Sequence, residues 1–160
     1  LGDTIALVLL KRMSLSPEQY KVFHPGGKLG QKLLKVSEMM LPRSEMAIAE
    51  PADTMDKALI KMTEKNIGSL VVEDISGVIS GIITDGDLKR HMGPDLLQKE
   101  VQEIMSTKPK SILQDSLAVE AIDIMLNQHG QPITSLLVVD KKNKLVGIIR
   151  IQDWLKAGII

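Results

Sequence analysis

Apolar residues along this chain change period in a fixed order, and they do so twice. The run from Met46 to Glu50 reads as a short extended segment. From Thr54 to Lys65, Met55, Ala58, Leu59 and Met62 fall on one helical face, with Asp53 or Thr54 suited to cap it. Two β-branched runs follow, Ser69 to Glu73 and Val78 to Thr84, separated by Asp74 to Gly77, which reads as a hairpin. A short helix from Asp85 to about Met92 then meets the stop signal Gly93-Pro94. The unit is strand, helix, strand, strand, helix. It recurs as Lys110 to Leu113, Ser116 to Asn127, Ser135 to Asp140, Leu145 to Arg150 and Ile151 to Lys156.

The repetition extends to individual residues. VSEMM at 36–40 is echoed by VQEIM at 101–105, ALIKM at 58–62 by AIDIM at 121–125, and GSLVV at 68–72 by TSLLV at 134–138. GIITDGD at 81–87 is echoed by GIIRIQD at 147–153. The offset grows from 63 at Met62 and Met125 to 66 at Gly81 and Gly147, so three extra residues belong in a loop near Gln128 to Pro132. A copy of about 60 residues buries little of its sheet face alone. The economical arrangement packs the two copies, 36–93 and 101–158, as one pseudo-symmetric α+β pair, with residues 1–35 outside both.

Composition narrows the chemistry. Twenty basic and twenty acidic residues leave no net charge, which removes the electrostatic footprint of a sequence-independent nucleic-acid binder. Aromatic residues make up 2%, so base-stacking platforms are nearly absent and Trp154 reads as core. Nine methionines point to a core packed by aliphatic and thioether side chains. There is no cysteine, hence no disulfide and no thiolate metal site. No apolar run approaches the roughly 20 residues needed to span a bilayer as a helix, so no membrane partner is expected.

The closing segment of the first copy carries the candidate chemistry. A strand ends at Thr84 and a helix begins, leaving backbone N–H groups suited to an anion. Thr84 and Asp87 equally satisfy a capping box with no ligand at all. In the second copy Arg150 stands where the hydroxyl was, while Asp153 is kept. An arginine there either clamps a phosphate or carboxylate, or fills the site by pairing with Asp153.

A repeat of this length, order and closing Gly-apolar-apolar-Thr-x-x-Asp segment resembles the CBS domain, and two in tandem resemble a CBS pair. The resemblance covers roughly residues 36–158 and implies an adenine-nucleotide site to which Thr84 and Asp87 contribute contacts to phosphate and ribose. It further implies ligand contacts at Arg150, Asp153, Ile67 and Gly68.

Residues 1–35 begin with an amphipathic helix start from Thr4 to Lys11, and Ser16-Pro17-Glu18 opens a second short helix. The run FHPGGKLG at 23–30 is rich in glycine but lacks P-loop spacing, since Lys28 is followed by Leu29. The region from Gly2 to Leu34, with HPGG at 24–27, resembles the end of the sugar isomerase (SIS) domain of D-arabinose-5-phosphate isomerases, and the closing KAGII at 156–160 resembles their C-terminus. The chain is therefore expected to be the trailing part of a longer one. The resemblance implies a catalytic part for His24 in that parent only; a turn or capping role before Pro25 is the plain alternative. No other carboxylate or histidine constellation suited to aldose-ketose proton transfer is legible, so no isomerase activity is expected of this chain by itself.

The resulting expectation is a cytoplasmic, nucleotide-sensing and self-associating CBS pair of such an isomerase, with no required cofactor and no metal site. Its regulatory ligand is expected to be an adenine nucleotide or a CMP-activated sugar. Self-association is expected through the helix faces around Leu117, Ala121, Ile122 and Met125. Two alternatives stay open: an adenylate sensor attached to another enzyme or transporter, and a ligand-free architectural module.

Overall fold

The computed structural model of the chain describes residues 34–126 and 132–159. The helices read within 1–33, His24, and most of the loop insertion lie outside them. In chain order the elements are β1 (Leu41–Pro42), β2 (Ala47–Ala49), α1 (Met55–Lys65), β3 (Ser69–Glu73), β4 (Ile79–Thr84) and α2 (Asp85–Arg90). The second half follows with α3 (Val101–Ile104), β5 (Ser106–Thr107), β6 (Ser111–Leu113), α4 (Ala118–Leu126), β7 (Ser135–Val139), β8 (Leu145–Arg150) and α5 (Ile151–Lys156).

Each half repeats one motif. β2 runs parallel to β3 through α1, and β3 pairs antiparallel with β4, placing Leu70 opposite Ile83 and Val72 opposite Gly81. β6, α4, β7 and β8 do the same, with Leu136 opposite Ile149 and Val138 opposite Gly147. Both hairpins are closed by an aspartate. Asp74 Oδ1 accepts from the N–H of Ser76 at 2.8 Å, and Asp140 Oδ1 from that of Lys142 at 2.8 Å.

The halves are joined by exchange. β5, which leads into the second half, is the edge strand beside β4; β1, which leads into the first, is the edge strand beside β8. The helices are capped across the same junction. The N–H of Met55 donates to Lys99 O at 2.9 Å, and that of Ala118 to Leu34 O at 2.8 Å, so the orphan donors opening α1 and α4 are met by the other half's lead-in.

This exchange explains a glycine inside each closing strand. A Cβ on Gly81 would lie 2.7 Å from Met105 Sδ and 2.8 Å from Ser106 O, and one on Gly147 would lie 2.6 Å from both Met40 Sδ and Leu41 O. Only a residue without a side chain lets the lead-in strand approach this closely.

Burial follows the same logic. Leu70, Val72 and Ile83 face Met55, Ala58 and Met62 of α1, and Val101 and Ile104 from the second half complete that core. Leu136, Val138 and Ile149 face Ala118, Ala121 and Met125 of α4, with Val36 from the first lead-in and Trp154, which is core as its sequence context implies. Between the sheets, Met46, Ile67, Val71 and Ile82 pack on Leu137, Leu145 and Ile148. β3 and β7 are thus covered on both faces, which is why they read as unbroken apolar runs.

One expectation needs correction. Ala121 and Met125, read as parts of a self-association face, are 0% and 2% exposed within their own half, and Ile122 packs on the same core. Their recurrence reflects the intramolecular core and gives no argument for a dimer.

Candidate functional site

Thr84 is the last residue of β4 and the N-cap of α2, and the capping box with Asp87 is formed. Asp87 Oδ2 accepts from Thr84 N at 2.8 Å and from Thr84 Oγ1 at 2.7 Å. Its Oδ1 accepts from Ser106 Oγ at 2.7 Å and from the guanidinium of Arg90. The residue is 2% exposed. Burial alone pushes its carboxyl up, but hydrogen bonds from Thr84, Ser106 and Arg90 outweigh this and hold it below its ordinary value. Asp87 is therefore a buried anion with both oxygens occupied by one threonine, one serine from the other half and one arginine.

At the equivalent position of the second half the chemistry changes. Arg150 ends β8 and precedes α5, and it grips Asp153 bidentately, Nε to Oδ2 at 2.6 Å and Nη2 to Oδ1 at 2.8 Å. The reading in which Arg150 pairs with Asp153 describes this geometry. It does not withdraw Arg150 from its surroundings, because the residue still forms part of a cavity wall.

That cavity, about 590 Å³, lies where the halves meet. Its size is within the range of small-molecule sites. Apolar surface comes from Ile67, Ile82, Pro132 and Ile133; hydroxyls come from Thr84, Ser106, Thr107, Thr134 and Ser135. Four cationic residues, Arg90, Lys108, Lys110 and Arg150, face two carboxylates, Asp85 and Asp87. In a chain with no net charge this concentration gives the cavity a cationic excess suited to an anion with an apolar portion.

Of the residues proposed from the sequence, Ile67, Gly68, Thr84, Asp87 and Arg150 come together at this cavity; Asp153 stands behind Arg150 and is not part of the wall. The sequence reading missed the segment from Ser106 to Lys110. Its signal was present: it follows VQEIM directly, and the glycine within β4 marks a close backbone approach. Lys108 adopts a left-handed backbone, φ 56°, unusual for a residue other than glycine or asparagine. Among the described residues no group of histidine and carboxylate side chains is arranged to hold a metal ion, and no helix is long and apolar enough to cross a membrane.

Two strand-helix-strand-strand-helix units that exchange their lead-in strands around a common cleft define a paired-repeat module. The CBS domain family matches residues 36–93 and 101–159, and the chain belongs to that family. It is 39% identical over 163 residues to arabinose 5-phosphate isomerase KdsD of Salmonella typhi, an alignment that takes in 100% of this chain and 48% of that protein. The chain thus spans about half the length of the curated relatives it matches. Among solved structures, CBSX2 in complex with AMP superposes with TM-score 0.64 at 24% identity, covering 78% of this chain and 96% of the other. The CBS domain of a bacterial CNNM/CorC family Mg2+ transporter in complex with ATP gives 0.67 at 24%, covering 82% and 93%.

Proposed function

We propose that this chain is the nucleotide-sensing regulatory CBS pair of a D-arabinose-5-phosphate isomerase. The parent enzyme interconverts D-ribulose 5-phosphate and D-arabinose 5-phosphate in the cytoplasm, for 3-deoxy-manno-octulosonate and lipopolysaccharide synthesis. Similarity to KdsD along the whole chain supports the parent. The observation that carries the sensing role is the cavity between the halves, which joins apolar walls for a base to a cationic excess for a phosphate. Fold neighbours in complex with AMP and ATP favour an adenine nucleotide over a CMP-activated sugar. Thr84, Asp87, Arg150, Ile67 and Gly68 supply the contacts, and Asp153 orients Arg150. Regulation then requires different affinities for two states of the parent, and self-association of CBS pairs within a tetrameric parent is the route by which one state is transmitted. His24 belongs to the catalytic part of the parent, and this chain alone turns over no sugar phosphate.

The test is a thermal-shift panel with AMP, ATP, CMP and a CMP-activated sugar. A ligand at 100 times its dissociation constant adds about 2.7 kcal/mol of stability. A shift with the CMP-sugar alone would reassign the ligand, and a shift that survives Asp87→Ala would remove the site. One observation favours a ligand-free architectural module instead: both oxygens of Asp87 are satisfied by protein donors. A flat panel would establish that second reading.

A further inference from the structure

Two repeats related by a pseudo-twofold generate two equivalent ligand positions, one at Thr84 and Asp87, the other at Arg150 and Asp153. The structure treats them differently in two independent ways. The first is the lead-in segment that covers each. Ile48 lies opposite Val71, and Ser111 lies opposite Leu137, the equivalent of Val71 at the 66-residue offset. From Met105 to Ser111 the chain spends five residues, 106–110, and all five line the cavity. From Met40 to Ile48, the counterpart that leads over the second position, it spends seven, 41–47. The longer segment coils into a single 3-10 turn, Arg43–Glu45, that packs on β8 and is fastened by Arg43 Nη2 to Glu73 Oε2 at 2.6 Å. The shorter one turns at Lys108 and leaves open space.

The second difference is Arg150. At the first position a threonine hydroxyl faces the aspartate; at the second a guanidinium fills that place and occupies both oxygens of Asp153. Of the five N–H donors of a guanidinium, the pair with Asp153 uses one on Nε and one on Nη2. Arg150 is also part of the wall of the open cavity, its side chain 15% exposed.

Resting on the nucleotide reading above, we propose that the chain binds one ligand and not two. Arg150 closes the second position and serves the first as its phosphate clamp. Asp153 is then a positioning residue, presenting the guanidinium plane toward an anion that lies between Arg150 and Lys108. The anionic end of the ligand points away from the acidic first turn of α2, where Asp85 and Asp87 sit, and toward the second half.

Isothermal titration of the whole chain with AMP, ATP and adenosine tests this. The expected result is one AMP per chain. Arg150→Thr lowers AMP affinity at least about tenfold while changing adenosine affinity less than about twofold, the loss of a charge-assisted contact to phosphate alone. Arg150→Lys falls between, and it carries the comparison if the threonine variant does not fold. Two AMP per chain in the unaltered protein would overturn the single-site inference and leave the nucleotide reading intact. Equal losses for AMP and adenosine, or no loss for either, would overturn the clamp. Absence of binding by all three compounds would overturn both this inference and the nucleotide reading.

Discussion

Ser106 Oγ donates to Asp87 Oδ1 across 2.7 Å, so the strand that leads into the second half is fastened to the first helical turn after β4. The bond joins the two halves at the point where the candidate ligand site also needs a carboxylate. A ligand that takes Asp87 Oδ1 competes there with Ser106 and Arg90, and displacing Ser106 couples occupancy of the cavity to the seating of β5. Ser106→Ala is expected to cost about 1.5–3 kcal/mol in urea unfolding, the worth of a hydrogen bond to a charged group. The same substitution removes a competitor for the ligand and raises AMP affinity by up to about tenfold for 1.4 kcal/mol. A variant that loses stability and affinity together would show that Ser106 only supports the site.

The exchanged strands set a second expectation. Gly81→Ala and Gly147→Ala each drive a Cβ into backbone oxygen, Ser106 O at 2.8 Å and Leu41 O at 2.6 Å, and neither oxygen belongs to a flexible side chain. Each substitution should cost about 2 kcal/mol or more in urea midpoint analysis. Gly86→Ala is the control. Its Cβ would find nothing nearer than Arg90 Nη1 at 3.4 Å, and alanine is the better helix former, so its change should lie between zero and about 1 kcal/mol of stabilisation.

These contacts mark the border of what the amino-acid pattern discloses. The strand-helix-strand-strand-helix order was legible because β3, β4, β7 and β8 carry five or six residues each, long enough to express a period. β1 and β5 have two residues each, and their partners lie far off along the chain, Leu41 opposite Ile148. No local pattern encodes such a pairing. Thr84 with Asp87 was legible as a motif, whereas Ser106 and Arg90 reach the same carboxylate only through the fold. For Arg150 the sequence allowed either a clamp or a pair with Asp153, and the bidentate geometry supplies the pair.

Two buried carboxylates should respond to pH with opposite sign. Burial pushes Asp87 up, but its donors hold it below its ordinary value; it stabilises the fold at neutral pH, and that contribution is lost as pH falls from the ordinary carboxylate range through its lowered value. Burial also pushes Glu73 up, and Arg43 and Lys144 only partly offset it, so its protonated form is favoured by folding and the gain is lost as pH rises through its raised value. Asp87→Asn is expected to cost about 2–4 kcal/mol at pH 7 and to flatten the loss of stability on acidification. Glu73→Gln should change stability at pH 7 by less than about 1 kcal/mol, because Arg43 is half in water, and should remove the opposing acid-side gain. Chemical denaturation between pH 3 and 8 reads both, and parallel pH profiles for the two variants would contradict the assignment.

The reciprocal capping also predicts how the chain divides. A first half cut after Pro94 loses Lys99 O as acceptor for Met55 N, Val101 N as donor to Asp53 O at 2.8 Å, and the buried side chains of Leu96, Val101 and Ile104 from its core. Those apolar groups are worth about 1.5–3 kcal/mol each when fully buried, a sum comparable to the whole stability of a domain this small. Residues 34–94 alone should therefore show a collapsed amide spectrum and little cooperative unfolding. Extending the same piece to Thr107 returns α3, the edge strand β5 and the Ser106 bond to Asp87. The longer piece should regain dispersed amide resonances and a cooperative transition, though weaker than that of the intact chain, because the face formed by Met46, Ile67, Val71 and Ile82 still lacks the opposing sheet. If residues 34–94 fold as well as 34–107, the lead-in strand does not belong energetically to the half it covers, and coupling through Ser106 falls with it.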